Sequence, residues 1–296
     1  MKFSLLLATL VFSLPSLALT LGTYNIRNFD YDERSRVRTN KSELADILSS
    51  LNADVLSVEE INNGKEFGRF LSARLPGYDF ELTRCGGEHG QTLGFIYNTR
   101  TIELLGFEES LATSNPGQSE TCNSGSRPLA IGIFKVKATG QKFIGVTAHL
   151  KSGGQTNSIH KRAKQYEIIR DVVRSVQAKT GVRDFYIAGD FNSTTYEFRG
   201  PDYTNLSRVV SQMGGSDLAN TISCTSYWWG GSDDEIETPS LLDHLIVSPG
   251  LMKSRSVRAQ VHAHCKKVSC REVPVRDLGA SYGAVSDHCP ITATVQ

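Results

Sequence analysis

Ser286-Asp287-His288, near the C-terminus, sets an imidazole beside a carboxylate, a pairing that can work on water or on a departing oxygen. Asp and His are also ordinary turn residues, so the triplet gains meaning only if the rest of the chain supplies partners. Candidates recur where strand-like apolar runs stop: Asn25, Glu60, His149, Asp190 with Asn192, and Asp243. Each has a plain structural reading on its own. Asn25 fits a turn, Glu60 a helix start, His149 a satisfied core histidine, and Asp190-Phe191-Asn192 an Asx turn. Strand ends along one sheet edge can still converge in space while far apart in sequence. Gathered there, these residues would form a hydrolytic site.

The elements that must position them are legible as patterns. Residues 19–26 read as a strand. Residues 41–51 carry Leu44, Ile47, Leu48 and Leu51 at helical spacing behind Asn40 and Glu43, a capping pair. A short buried-type strand at 54–58 runs into Glu59-Glu60, and a second helix over 66–75 stops at Pro76-Gly77. Strands follow at 78–83, 93–97, 102–107, 129–136 and 143–150. Ile159, Ala163, Tyr166, Ile169, Val173 and Val176 make one stripe of a long amphipathic helix. A strand at 185–188 leads into Gly189-Asp190-Phe191-Asn192. A short helix carries Leu206, Val209, Val210 and Met213, and strands at 241–247, 257–261 and 290–295 complete the pattern. Many strands with few helices fit an α+β fold of two packed mixed sheets with helices outside, better than a doubly wound parallel sheet.

Lys2, the apolar run 3–14 and Ser16-Leu17-Ala18 read as an export signal over residues 1–18, too short to span a bilayer comfortably. A single domain over 19–296 is expected, since no linker or repeat divides the chain. A formal net charge of +1 announces no polyanion partner. Locally, Lys253, Arg255, Arg258, Lys266 and Lys267 form one basic run and His160, Lys161, Arg162 and Lys164 another; both fit solvated faces or a phosphate-guiding surface. Six cysteines in an exported chain imply disulfides, and the expected pairs are Cys265–Cys270, Cys85–Cys122 and Cys224–Cys289. Zinc at His262, His264, Cys265 and Cys270 is disfavoured by oxidising surroundings.

Six stretches carry a resemblance: Thr23-Tyr24-Asn25, residues 54–61 (Asp-Val-Leu-Ser-Val-Glu-Glu-Ile), Thr147-Ala148-His149-Leu150, Ala188-Gly189-Asp190-Phe191-Asn192, residues 242–248 (Leu-Asp-His-Leu-Ile-Val-Ser) and residues 286–291 (Ser-Asp-His-Cys-Pro-Ile). In this order they resemble the endonuclease/exonuclease/phosphatase superfamily, whose type member is deoxyribonuclease I. The resemblance implies a four-layer α/β/β/α sandwich and hydrolysis of a phosphodiester. Such hydrolysis needs a cation on a nonbridging oxygen, a deprotonated water and charge relief at the leaving oxygen. The implied cofactor is Mg²⁺, with Mn²⁺ as a substitute and Ca²⁺ in a structural role. Glu60 would be the first metal ligand, with Asn25 and Asp287 holding the metal or its waters. His288 would be the base, oriented by Asp243; His149 would serve the departing oxygen; Asp190 would position the nucleophile. Asn192, with Asn25, would contact phosphate.

Two departures touch substrate contacts and leave the hydrolytic set intact. Ile61-Asn62-Asn63 follows Glu60 where deoxyribonuclease I has a groove-binding Arg. No obvious glutamate pairs with His149; Gln91 stands near that place, with Glu88 as a rival. Tyr227-Trp228-Trp229 reads as a strand whose aromatics join the core. Stacking on unpaired bases and dipping into lipid are the alternatives. The reading is a secreted or periplasmic, monomeric, metal-dependent DNA endonuclease without a membrane anchor. A sphingomyelinase-type phosphodiesterase is the alternative, followed by a silent binding protein of the same fold.

Overall fold

Asn40 accepts hydrogen bonds from the backbone N–H groups of Ser42 and Glu43 and so starts α1 (Lys41–Leu51), as the capping pair predicts. Asn63 does the same for Glu66 and starts α2 (Gly64–Arg74) two residues earlier than the sequence suggests. The computed structural model describes residues 18–116, 122, 124–252, 254 and 256–295. The expected export signal lies outside these residues except for Ala18, as do Lys253 and Arg255 of one basic run.

Strands β1 (Thr20–Asn25), β2 (Val55–Ile61), β3 (Tyr78–Leu82) and β4 (Thr92–Asn98) begin one sheet. The second holds β5 (Ile102–Ser110), β6 (Leu129–Val136), β7 (Lys142–His149), β8 (Asp184–Asp190), β9 (Ser216–Asp217) and β10 (Asp243–Val247). The chain then returns to the first with β11 (Gln260–Val261) and β12 (Ile291–Thr294). The orders are β11-β12-β1-β2-β4-β3 and β9-β10-β8-β7-β6-β5. Leu21, Phe95, Phe134, Tyr186 and Leu245 fill the space between the sheets. Helices α1 and α2 bury their apolar faces on the first sheet. Helices α3 (Thr156–Thr180) and α4 (Pro201–Met213) cover the second. The result is the expected four-layer α/β/β/α sandwich, each sheet buried on both faces and each helix on one.

Two parallel pairs within these sheets, β1 with β2 and β7 with β8, bring strand ends to a common edge. Register does the rest. Asp190 lies opposite His149 on one side and opposite Asp243 on the other, and Asn25 lies opposite Glu59. Gly189 is required where β8 meets β7. Its φ is +140°, and a β-carbon there would sit 1.9 Å from the Ala148 carbonyl oxygen. Gly189→Ala should therefore destabilise the fold by about 3 kcal/mol and displace Asp190; an unchanged thermal midpoint would contradict this.

The disulfides are Cys85–Cys122, Cys224–Cys270 and Cys265–Cys289, so one expected pair is present and two are exchanged. Cys265 lies on the short helix α5 (Ala263–Lys267), which the sequence pattern does not reveal. Cys270 follows five positions on, through helix and turn, and at about 100° per residue such side chains diverge. Cys265 meets Cys289 just before β12, and Cys270 meets Cys224. His264, Cys265 and Cys289 form a metal-like group in space, with both sulfurs spent in one bond.

Candidate active site

The edge where β1, β2, β7 and β8 end carries several residues in left-handed backbone conformation. Arg27, Asn28, Glu60 and Asn192 have φ of 36°, 49°, 62° and 51°. Such conformations persist where surrounding structure enforces them, and they gather at functional sites. At Glu60 the cause is local. The β2–β4 register shifts between Val58 and Ile61, and the bulge turns consecutive glutamates inward. Glu59 is fully buried and accepts from Thr23 Oγ1 at 2.8 Å. Glu60 Oε1 accepts from Asn25 Nδ2 at 3.2 Å, and Oε2 accepts from the Asn28 backbone N–H at 3.1 Å.

His288 Nδ1 lies 2.8 Å from Asp243 Oδ2, and its Nε2 lies 3.7 Å from Asp190 Oδ2. Asp190 Oδ2 is also 3.2 Å from Asn25 Nδ2 and 3.3 Å from His149 Nε2. Its Oδ1 accepts the Asn192 backbone N–H at 2.8 Å. Ser286 completes the local brace: its Oγ donates to the Asn25 carbonyl at 2.7 Å and accepts the His288 N–H at 3.0 Å. Asp287 is half-buried, and its charge bears on both Glu60 and His288. The structure thus brings Asn25, Glu60, His149, Asp190, Asn192, Asp243, Asp287 and His288 together.

Asn25 is arranged differently from expectation, and Asn192 keeps a free donor. Asn25 turns its NH₂ toward Glu60 and Asp190, while its oxygen accepts the Arg27 N–H at 3.0 Å. As placed, it orients the carboxylates and does not offer a ligand oxygen alongside them. Asn192 spends one amide N–H on the Leu150 carbonyl at 3.2 Å, which leaves its second N–H for another acceptor.

Burial and charge set the proton balance. Burial raises the Asp190 carboxyl; the His288 charge opposes this and the Asp243 charge adds to it, leaving it at about 7. Burial alone would lower His288, but Asp243 and Asp190 outweigh it and hold the imidazolium well above the usual histidine range. Burial, Arg127 and His288 together drive His149 well below that range, so it is neutral. Asp190, Asp243 and His288 also present ligand atoms within 4.8 Å of one another, a spacing that could hold a metal ion.

The family model for the endonuclease/exonuclease/phosphatase family matches residues 22–288, nearly the whole chain. The chain belongs to this family. No curated protein matches it. Among solved structures, it is similar to an endonuclease/exonuclease/phosphatase from Bacteroides vulgatus, with 19% identity, TM-score 0.63, and 94% of this chain and 98% of that chain covered. A mannosyl-6-phosphatase of Bacteroides thetaiotaomicron matches at 19% identity and TM-score 0.61, over 93% and 98% of the two chains. D. rerio TDP2, complexed with a single-strand DNA product, matches at 17% and 0.61, over 94% and 98%. At these identities the likeness speaks for the fold.

Sequence reasoning missed Arg127, which follows Ser126 and precedes the apolar run of β6. It is buried, and its Nη2 contacts His149 Nε2. A guanidinium can only donate, so Nε2 accepts in this contact, and His149 Nδ1 is buried with no hydrogen-bond partner among the described residues. Among the described residues no acid pairs with His149 Nδ1. Gln91 instead donates to Asn28 Oδ1 at 2.8 Å, alongside Asn62 at 3.1 Å, in an amide cluster beside Glu60.

Arg162 also departs from its expected place in a basic face. It is fully buried, pairs with Asp202 at 2.7 Å, and donates to the carbonyls of Lys151 and Gly153 and to Thr194 Oγ1. Gln165 accepts the Lys151 N–H at 3.0 Å. One face of α3 therefore grips the loops that follow His149 and Asn192. His244 adds a brace: its ring nitrogens lie 2.7 Å from Asp217 Oδ2 and 2.7 Å from Ser193 Oγ. This has the outline of a nucleophilic triad, but Ser193 and His244 are sealed from solvent, so it ties β10 to the loop after Asn192.

Proposed function

We propose that this chain, as a single exported unit over 19–296, is a divalent-metal-dependent phosphodiesterase that cleaves DNA internally with loose sequence preference. The observation that carries the reading is the Asp243–His288–Asp190 line beside Glu60. It combines an oriented imidazolium with a carboxylate whose basicity suits proton transfer near neutral pH. Among the described residues no helix is long and apolar enough to cross a membrane, and three disulfides suit an oxidising compartment.

The residues fit a hard divalent cation. Asn25 bridges Glu60 to Asp190, and burial, opposed by the Arg127 charge and reinforced by the Asp287 charge, raises Glu60. Glu60 with Asp287 would hold Mg²⁺, and Asn25 would fix Glu60. When bound, the cation supplies charge for the phosphoryl oxygens. Asp190 accepts the proton of the attacking water. His288, held by Asp243, donates to a phosphoryl oxygen as an imidazolium, a change from its expected part as base. Arg127 brings positive charge to His149, a change from the picture of His149 as a proton donor at the leaving oxygen, which takes its proton from solvent as the P–O bond breaks. Asn192 offers its second N–H to phosphate.

A panel of supercoiled plasmid, RNA, a sugar phosphate and sphingomyelin vesicles, each with Mg²⁺ and then excess chelator, tests the proposal. Chelator-sensitive nicking of plasmid is expected. Release of phosphocholine with DNA intact would move the activity to the sphingomyelinase class, which exposed Trp228 and Trp229 keep as a second reading. No hydrolysis of any substrate under Mg²⁺ or Mn²⁺ would leave the silent binding protein.

A further inference from the structure

Trp228 and Trp229 do not join the core as the sequence pattern suggests. Tyr227 is 2% exposed, while the next two residues are 46% and 59% exposed. They stand on a hairpin of strands Ser226–Trp228 and Ile236–Ser240, whose return strand also pairs with Val273–Pro274. The base of this hairpin is built into the catalytic edge. Ser226 pairs with His288, and the Tyr227 N–H donates to the Asp287 carbonyl at 2.9 Å. Cys224–Cys270 and Cys265–Cys289 fasten the two chain segments that form this junction. Trp228 follows Tyr227 by one strand residue, a rise of about 3.3 Å. Two large aromatic faces are thus presented beside the site on a rigid support.

We propose that Trp228 and Trp229 form a stacking platform for an unpaired nucleobase next to the scissile phosphate, so that the enzyme favours single-stranded or locally opened nucleic acid. This rests on the nucleic-acid reading above and extends it to substrate form. Charge weighs one strand against two. Asp233, Asp234 and Glu235 are exposed at the hairpin turn. They repel an anionic lipid surface, and they bear more heavily on the two phosphate backbones of a duplex than on the one of a single strand. A base offers an uncharged π-face, and stacking accepts any base, which agrees with loose sequence preference. A rigid aromatic pair also loses little freedom when a base is bound.

The chain has only two tryptophans, both on this hairpin, so its tryptophan emission reports on the platform alone. The His288→Ala protein with Mg²⁺ is titrated with a labelled single-stranded oligonucleotide, following label polarisation and tryptophan emission together. Quenching that tracks binding is expected, and an oligonucleotide carrying abasic sites should bind without it. In the same background, Trp228→Ala with Trp229→Ala should weaken single-strand binding roughly tenfold. Binding by polarisation with unchanged emission would overturn the platform while leaving the nucleic-acid reading intact. An emission shift with phosphatidylcholine vesicles and none with oligonucleotide would assign the hairpin to lipid. Absence of any oligonucleotide binding would overturn both readings. The quenching measurement needs no hairpin substitution, so it stands even if the double variant folds poorly.

Discussion

His288→Ala lowers turnover by on the order of a thousandfold while the protein stays folded. His288 is 7% exposed and reaches Asp243, Asp190 and the substrate side of the site, so alanine removes a charge aimed at the phosphoryl group with little packing. The pH profile separates its proposed part from that of a base. The His288 charge lowers Asp190, and losing it lets the Asp190 carboxyl rise further. Residual activity should then turn on at higher pH than in the parent protein. Single-turnover rates across pH measure this directly. An acid limb that stays in place would mean that Asp190 is not the group accepting the proton, and near-parental turnover would remove His288 from the chemistry.

Glu60→Gln abolishes metal-dependent hydrolysis and, independently of activity, the metal-dependent rise in thermal midpoint. A carboxamide keeps the shape, and its single oxygen can still accept from either Asn25 or the Asn28 N–H, so the fold should survive. It does not replace the anionic oxygen that a hard cation requires. The pH dependence has a definite sign. Burial first, then the Asp287 charge, raise Glu60 above its ordinary 4.5. Between 4.5 and that raised value the metal-free folded protein holds a proton the unfolded chain has released. Its contribution to stability is therefore lost as pH rises through that window. Metal and proton compete for the same oxygens, so Mg²⁺ should raise the parent protein's midpoint more at pH 8 than at pH 5. Calorimetry with and without Mg²⁺ checks both statements. An equal shift in Glu60→Gln would place the metal elsewhere.

Much of this site is legible in residue order, and the reason is local. Gly189-Asp190-Phe191-Asn192 encodes its own turn: Gly189 takes φ of +140°, and Asp190 Oδ1 caps the Asn192 N–H. Ser286-Asp287-His288 likewise carries its own brace through Ser286 Oγ. Short-range hydrogen bonds need no tertiary partner to be inferred. Strand and helix positions follow for the same reason, because apolar periodicity is local; α1 runs from Lys41 to Leu51 as its pattern predicts. Arg127 escaped because nothing near it in sequence marks it. Its meaning lies in His149, 22 residues on, which meets it only through the pairing of β6 with β7.

The amino-acid sequence by itself determined the family, the layered α+β architecture and the identity of the chemical groups. Ordered strand-end motifs and apolar periodicity survive without coordinates. Tertiary structure alone decided which groups carry protons, which way amides face and which cysteines meet. Those properties depend on burial and on distances between residues remote in sequence. The register of β7, β8 and β10 places His149, Asp190 and Asp243 side by side, and burial there raises Asp190 and keeps His149 neutral. It also exposed Trp228, because the strand that buries Tyr227 must turn its next residue outward, and Trp229, which lies beyond the end of that strand.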